Sequence, residues 1–196
     1  FFNKNFTDII DLIPNIDEYF INNPLGSLVS LNADNWFYKN RACLIGDAAH
    51  AVVPFYGQGM NASFEDCVKI CNIIDKSNDW KSVFTMFSEE RKKETDAISD
   101  LALKNYSTMK KEVLDQEYLK KYKLGFQLYD MFPDYFIPEY IMVSFTNTPY
   151  NIVRKRSHIQ SKILDKILCY DKVPKKEILE PLIKRNLIKL DDEKNC

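Results

Sequence analysis

Apolar residues at Phe2, Phe6, Ile9, Ile10 and Ile13 recur at spacings near three and four, which predicts one or two helices before Pro24. The pattern then changes to short apolar runs, Ser27–Leu31 and Trp36–Tyr38, which predict strands separated by the turn residues Asn32 to Asn35. Arg41–Ile45 predicts a further strand, and a helix follows from Gln58 or Asn61 to about Asp75. Between Trp80 and Lys123 the positions Val83, Phe84, Phe87, Ile98, Leu101, Leu103, Tyr106, Met109, Val113 and Leu114 fall mostly at helical spacing, with no internal Pro or Gly. One or two long helices fit them. Gly125, Pro133, Pro138 and Pro149 cut the next stretch into helices near 124–132, 138–146 and 150–168. Beyond Val173, Ile178, Leu179, Leu182, Ile183 and Leu187 allow one more amphipathic helix, and no strand is predicted after Asp75.

The chemistry concentrates in one block. Cys43-Leu44-Ile45-Gly46-Asp47-Ala48-Ala49-His50 and Pro54-Phe55-Tyr56-Gly57-Gln58-Gly59-Met60-Asn61 hold three of the five glycines in the 196 residues. An apolar run ending in Gly-Asp reads as a strand delivering one carboxylate at its C-terminal end, where open α/β sheets bind ligands. Gly57 and Gly59 let backbone approach a ligand, and a helix opening near Asn61 points its unpaired N–H groups back at it. The product is an acceptor for hydroxyls beside a helix end suited to negative charge. Gly46-Asp47 alone would equally cap an ordinary strand-to-helix turn.

Taken whole, and continuing through Phe64-Glu65-Asp66-Cys67, the block resembles the second FAD fingerprint of the flavin-dependent aromatic hydroxylases, the class A monooxygenases. Within that family it is most similar to the branch that acts on L-kynurenine. The resemblance implies an α/β, Rossmann-like FAD-binding fold of aromatic-hydroxylase type, of which this chain is the C-terminal part, mostly α-helical with a few strands. It implies FAD held by Asp47, Gly57, Gln58, Gly59, Met60 and Asn61, NADPH as co-substrate, and hydroxylation of L-kynurenine to 3-hydroxykynurenine with O2. That reaction lies in tryptophan degradation toward NAD biosynthesis. A further likeness covers Ile98-Ser99-Asp100-Leu101, Asn105-Tyr106, Met109, Phe136-Ile137-Pro138, Tyr140 and Met142-Val143. It implies a substrate pocket lined by Pro54, Phe55, Gln58, Asn105, Met109 and Tyr140. Asn105 and Met109, four apart, would place an amide and a soft apolar group on one helix face. Tyr140 would offer a phenolic donor to a carboxylate. The oxidising chemistry belongs to the flavin, so no catalytic side chain and no metal is expected. His50 is expected to brace the strand-to-helix loop through its ring nitrogens rather than act as a base. Ser63 departs from the family, which often has Gly there, and Tyr56 stands where Phe or His appears. Another class A hydroxylase, or a non-catalytic helical module that kept the motif, stays open as an alternative.

Composition narrows the partner. Lys and Arg total 27 against 28 Asp and Glu, a balance that argues against a nucleic-acid surface and for a small molecule. Cys43, Cys67, Cys71, Cys169 and Cys196 form an odd set read as free thiols of a reducing compartment, with Cys67 and Cys71 as core packing.

No strand with Gly-x-Gly-x-x-Gly opens the chain, which begins at Phe1 within an amphipathic segment, so it reads as a fragment inactive by itself. On that reading residues 1–40 end the substrate-domain region and 41–78 are the C-terminal part of the FAD-binding domain. Residues 79–170 form a helical region covering the active site, and 171–196 a charged tail. The family's animal members are mitochondrial outer-membrane proteins, which makes that the implied location, with a cytoplasmic alternative. Charged residues interrupt every apolar stretch after Asn151, so no transmembrane anchor is expected. Arg154-Lys155-Arg156 with Ile159, Ile163, Leu164, Ile167 and Leu168 fits either peripheral membrane contact or a helix packed on its own domain with a solvated basic face. The oligomeric state is left unspecified.

Overall fold

Helices dominate the computed structural model, which describes residues 1–170 and 172–194; Cys196 therefore lies outside the described residues. In chain order the elements are α1 (Phe2–Asn5), α2 (Ile16–Asn22), β1 (Phe37–Tyr38), β2 (Ala42–Cys43), α3 (Asp47–His50), α4 (Gly59–Ile74) and α5 (Trp80–Ser107). A π-helical turn (Thr108–Glu112) follows, then α6 (Gln116–Met131), α7 (Glu139–Phe145), α8 (Tyr150–Leu168), α9 (Lys176–Asn186) and α10 (Leu190–Lys194). The long helix expected after Trp80 is α5, started by Asp79, whose carboxylate accepts from the Ser82 amide at 3.1 Å. It packs against both α4 and α8, and residues from all three share one core with α7: Ala62, Ala97, Ile98, Leu101, Met142 and Val153.

Four local expectations are corrected. The strand expected over Arg41–Ile45 is confined to Ala42–Cys43 and pairs antiparallel with β1, Phe37 opposite Cys43. Ser27–Leu31 forms no strand; the chain there is tied instead by the Leu31 and Ala33 amides donating to the Ala51 and Ala49 carbonyls. The helix expected near 124–132 begins eight residues earlier, at Gln116, because the Asp115 side chain caps it through the Glu117 amide. Gly125 lies inside that helix. Its cost of about 1 kcal/mol is outweighed by neighbours such as Leu124 and Leu128, each buried side chain contributing roughly 1.5–3 kcal/mol. Finally, Cys67 and Cys71 are exposed. Helix α4 turns Ala62, Asp66 and Ile73 inward, which leaves Met60, Phe64, Cys67, Val68 and Cys71 on the outward side.

The helix α8 settles against its own domain. Ile163 and Ile167 join Leu124, Leu128, Leu179 and Ile183 in a second core, so the apolar side offered above to a membrane is occupied. Arg156, expected in a solvated basic face, is fully buried; its guanidinium donates to the Ile188 carbonyl at 3.1 Å and is paired with Glu193. The reason is α10, which brings that carboxylate over the middle of α8. Among the described residues no helix is long and apolar enough to cross a membrane.

Candidate functional site

The turn after β2 has a backbone that only glycine takes without strain. Gly46 has φ of 60° and ψ of −142°, and a Cβ there would lie 3.1 Å from Ser63 Oγ. Asp47 follows it, exposed, as the first residue of α3. Such a short helix cannot fix its own position. One buried carboxylate on α4 does it instead: Asp66 Oδ2 accepts from the Gly46 amide at 3.0 Å and sits 2.5 Å from His50 Nε2. Its Oδ1 accepts from Arg91 Nε of α5 at 2.7 Å. Arg91, itself buried, spends its other donors on the Ala62 carbonyl and on Glu65. Burial alone would raise the Asp66 carboxyl, but hydrogen bonds from His50, Arg91 and the Gly46 amide hold it below the ordinary carboxylate range. His50, which also lies against the Trp36 ring, thus braces the loop as expected.

That carboxylate makes folding acid-sensitive. A carboxyl lowered by folding adds stability that is fully present above the unfolded value of about 3.9 and is lost as pH falls through the folded value. Asp66→Asn is therefore expected to flatten the dependence of urea-unfolding free energy on pH below about 4, while lowering stability at neutral pH. Unaltered dependence in that window would remove Asp66 from the acid response. The other groups facing this carboxyl are His50, Arg91 with its partner Glu65, and Cys43, whose thiol is pushed up by its own burial and then by the Asp66 charge.

From α3 the chain runs through Pro54–Gln58 into α4, and Phe55, Tyr56 and Gln58 of this loop each have an anchor beyond it. The Asn105 amide donates to the Phe55 carbonyl at 2.8 Å, and the Phe55 ring stacks on Tyr106 with centroids 4.5 Å apart. The Tyr56 hydroxyl donates to Glu139 Oε1 at 2.7 Å, while Lys104 Nζ donates to Oε2 at 2.5 Å. Burial and then the Glu139 charge raise the Tyr56 phenol well above its ordinary value, so it stays a donor. The Tyr140 ring lies 5.9 Å from that of Tyr56. Gln58 Oε1 accepts from Asn61 and from Tyr150, whose phenol is pushed up to about 12 by burial first and the Glu65 charge second.

The structure thus brings Phe55, Asn105 and Tyr140 to one loop from α5 and α7. Met109 is more than half exposed and stands in the π-helical turn, where the 3.6-residue period that aligned it with Asn105 no longer applies. Pro54, Asp47, Gly57, Met60 and Asn61 are exposed. An open cleft of about 630 Å3 touches the cofactor candidates Gln58 and Asn61, with Phe64, Glu65 and Tyr150 also on its walls; Asn105, Met109 and Tyr140 do not line it.

Residues 30–99 match the FAD binding domain family. The chain is 44% identical over 171 residues to kynurenine 3-monooxygenase of Cytophaga hutchinsonii, an alignment covering 86% of this chain and 38% of that protein. It is 44% identical over 163 residues to kynurenine 3-monooxygenase of Xanthomonas oryzae pv. oryzae, covering 83% and 36%. With that of Flavobacterium johnsoniae the identity is 39% over 174 residues, covering 88% and 39%. The chain is thus similar, over most of its own length, to part of these kynurenine 3-monooxygenases. It spans less than two fifths of the length of these relatives.

The groups present suit FAD. Asp47 supplies an exposed carboxylate able to accept from hydroxyls, and the 16-residue α4 presents the N–H groups of its first turn with no side-chain cap over them. A Cβ at Gly57 or Gly59 would meet nothing within 4 Å, so the turn between them is open to a ligand. Reading the sequence missed Asp66 and Arg91 as site supports. The signal was there: Asp66 falls four after Ala62 on the apolar side of α4, and Arg91 four after Phe87 on the buried side of α5. A charge on an apolar face predicts a buried partner.

Proposed function

We propose that this chain is the C-terminal portion of an FAD-dependent, NADPH-consuming monooxygenase that hydroxylates L-kynurenine to 3-hydroxykynurenine with O2. The observation that carries the reading is the Gly46-Asp47 turn beside the open N-terminus of α4, in a segment with 39–44% identity to proteins named for that reaction. On this reading the chain belongs to a Rossmann-like fold of aromatic-hydroxylase type. Residues 1–40 close the substrate-domain region, 41–78 complete the FAD-binding domain, 79–170 cover the site, and 171–196 form the terminal segment. NADPH consumption puts the reaction where reduced nicotinamide is supplied, the cytoplasm in the bacteria that carry these relatives; they give the mitochondrial address no support.

Bound FAD would supply the redox chemistry; the side chains hold, orient and exclude. Asp47 would accept from hydroxyls of the cofactor, and the backbone of Gly57 to Asn61 would help hold it. The first turn of α4 favours negative charge there by roughly 0.3–1 kcal/mol. Pro54, Phe55 and Gln58 would line the same site. Asn105 already spends its Nδ2 on the Phe55 carbonyl, so its Oδ1 is the group offered to the substrate ammonium. Tyr140 would donate to the substrate carboxylate, and the stacked Phe55 and Tyr106 rings would keep water from the reacting atoms; Met109, exposed in the π-helical turn, has no role on this reading.

The test is NADPH oxidation by the intact protein with and without L-kynurenine, with product analysis. Kynurenine-dependent formation of 3-hydroxykynurenine supports the reading; flavin reduction stimulated only by another aromatic acid replaces the substrate. Asn105→Ala and Tyr140→Phe are each expected to raise the kynurenine KM about tenfold, for one polar contact worth about 1.4 kcal/mol, at normal FAD content. Unmoved KM in both would take these two residues out of the pocket.

A further inference from the structure

Among the described residues Asp66 stands apart from the other carboxylates: it is fully buried, and it receives three donors from three separate segments. Those segments are the Gly46 turn, α3 through His50, and α5 through Arg91. Each donor is specific. Gly46 contributes a backbone amide at the left-handed residue directly before Asp47. The Nε2 of His50 lies 2.5 Å from the Asp66 carboxylate, which only accepts, so that ring nitrogen carries a proton and donates it to Oδ2. Arg91 contributes Nε, and its remaining nitrogens lock onto the Ala62 carbonyl and Glu65 one turn apart on α4. The guanidinium thus fixes the carboxylate, and the carboxylate fixes both ends of the four-residue α3.

We propose that Asp66 is the positioning residue of the cofactor turn: its carboxylate fixes the Gly46 amide and the His50 ring together, and so sets where Asp47 stands and how tightly FAD is held. This rests on the reading of Asp47 as an FAD ligand. Asp66 touches no cofactor. It acts through backbone, since among the described residues the hydrogen bond that ties the Gly46 amide to α4 is the one to this oxygen. An asparagine of the same size cannot replace it, for geometric reasons. Whichever way its amide turns, the NH2 faces either the Gly46 amide and His50 or Arg91 Nε, setting donor against donor.

The experiment is titration of the intact apoprotein with FAD, followed by flavin fluorescence and visible circular dichroism, beside thermal melting of the same apoprotein. Asp66→Asn is expected to weaken FAD binding about tenfold or more, the scale of one charge-assisted hydrogen bond, and to alter the flavin dichroism. His50→Gln keeps a donor at the position of Nε2 and is expected to bind FAD within about threefold of the parent protein, whereas His50→Leu, which lacks it, weakens binding about tenfold. Rescue by glutamine is the outcome that a packing role would not produce. Equal losses in His50→Gln and His50→Leu, or an FAD affinity in Asp66→Asn equal to the parent's, would overturn the proposal. If the parent protein itself binds no FAD, the cofactor reading falls and takes this inference with it.

Discussion

Arg91→Ala is expected to cost about 3–5 kcal/mol of folding free energy, the cost of leaving a buried carboxylate without its partner. Arg91 is 3% exposed and Asp66 is fully buried, so water cannot replace the lost guanidinium. Three hydrogen bonds go at once, to Asp66, to Glu65 and to the Ala62 carbonyl. Against a typical domain stability of about 5–15 kcal/mol, such a loss leaves the protein marginal or unfolded at physiological temperature. Arg91→Lys should recover only part of it, because a single ammonium cannot reach the carboxylate and the α4 carbonyl in the fork that a planar guanidinium spans. Urea unfolding of the intact protein measures both variants. A loss below about 1 kcal/mol for the alanine variant would mean that the network relaxes around the cavity and does not hold the turn.

The second large effect separates binding from folding. Asp47→Ala is expected to strip FAD from the protein, since an acceptor charged and aimed at a ribityl hydroxyl contributes about 1.5–3 kcal/mol, or roughly ten- to hundredfold in affinity. Asp47 is exposed and belongs to no internal core, so the apoprotein should melt where the parent does. Flavin content after purification and the apoprotein melting temperature are the two readings. Full flavin occupancy in the variant would take Asp47 out of the cofactor site, and a lowered melt would show that its role is structural.

Much of the helical layout was legible in the sequence because it depends on local spacing. α4, α5, α7 and α8 appear where the apolar period and the prolines put them, and three of the chain's five glycines marked the block that holds the Gly46 and Gly57 turns, both with positive φ. The family likeness was equally local, since it rests on contiguous runs such as Gly46 to His50 and Pro54 to Asn61. Local rules failed where the outcome depended on a partner distant in sequence. Gly125 reads as a helix breaker until the burial of Leu124 and Leu128 against α8 is counted. Cys67 and Cys71 share a helix face, but spacing cannot say which face of α4 turns inward, and the inward side is the one bearing a charge.

What the sequence by itself determined, then, is the order of helices, the glycine-marked block and the family it resembles, all consequences of period, punctuation and contiguous motif. What only the tertiary structure decided is which charges are inside. Asp66 lies 20 residues from Gly46 and 25 from Arg91, and Arg156 is 37 from Glu193. A buried charge is tolerable only when its partner arrives from another element, and that meeting is set by the packing of whole helices rather than by any pattern along one of them.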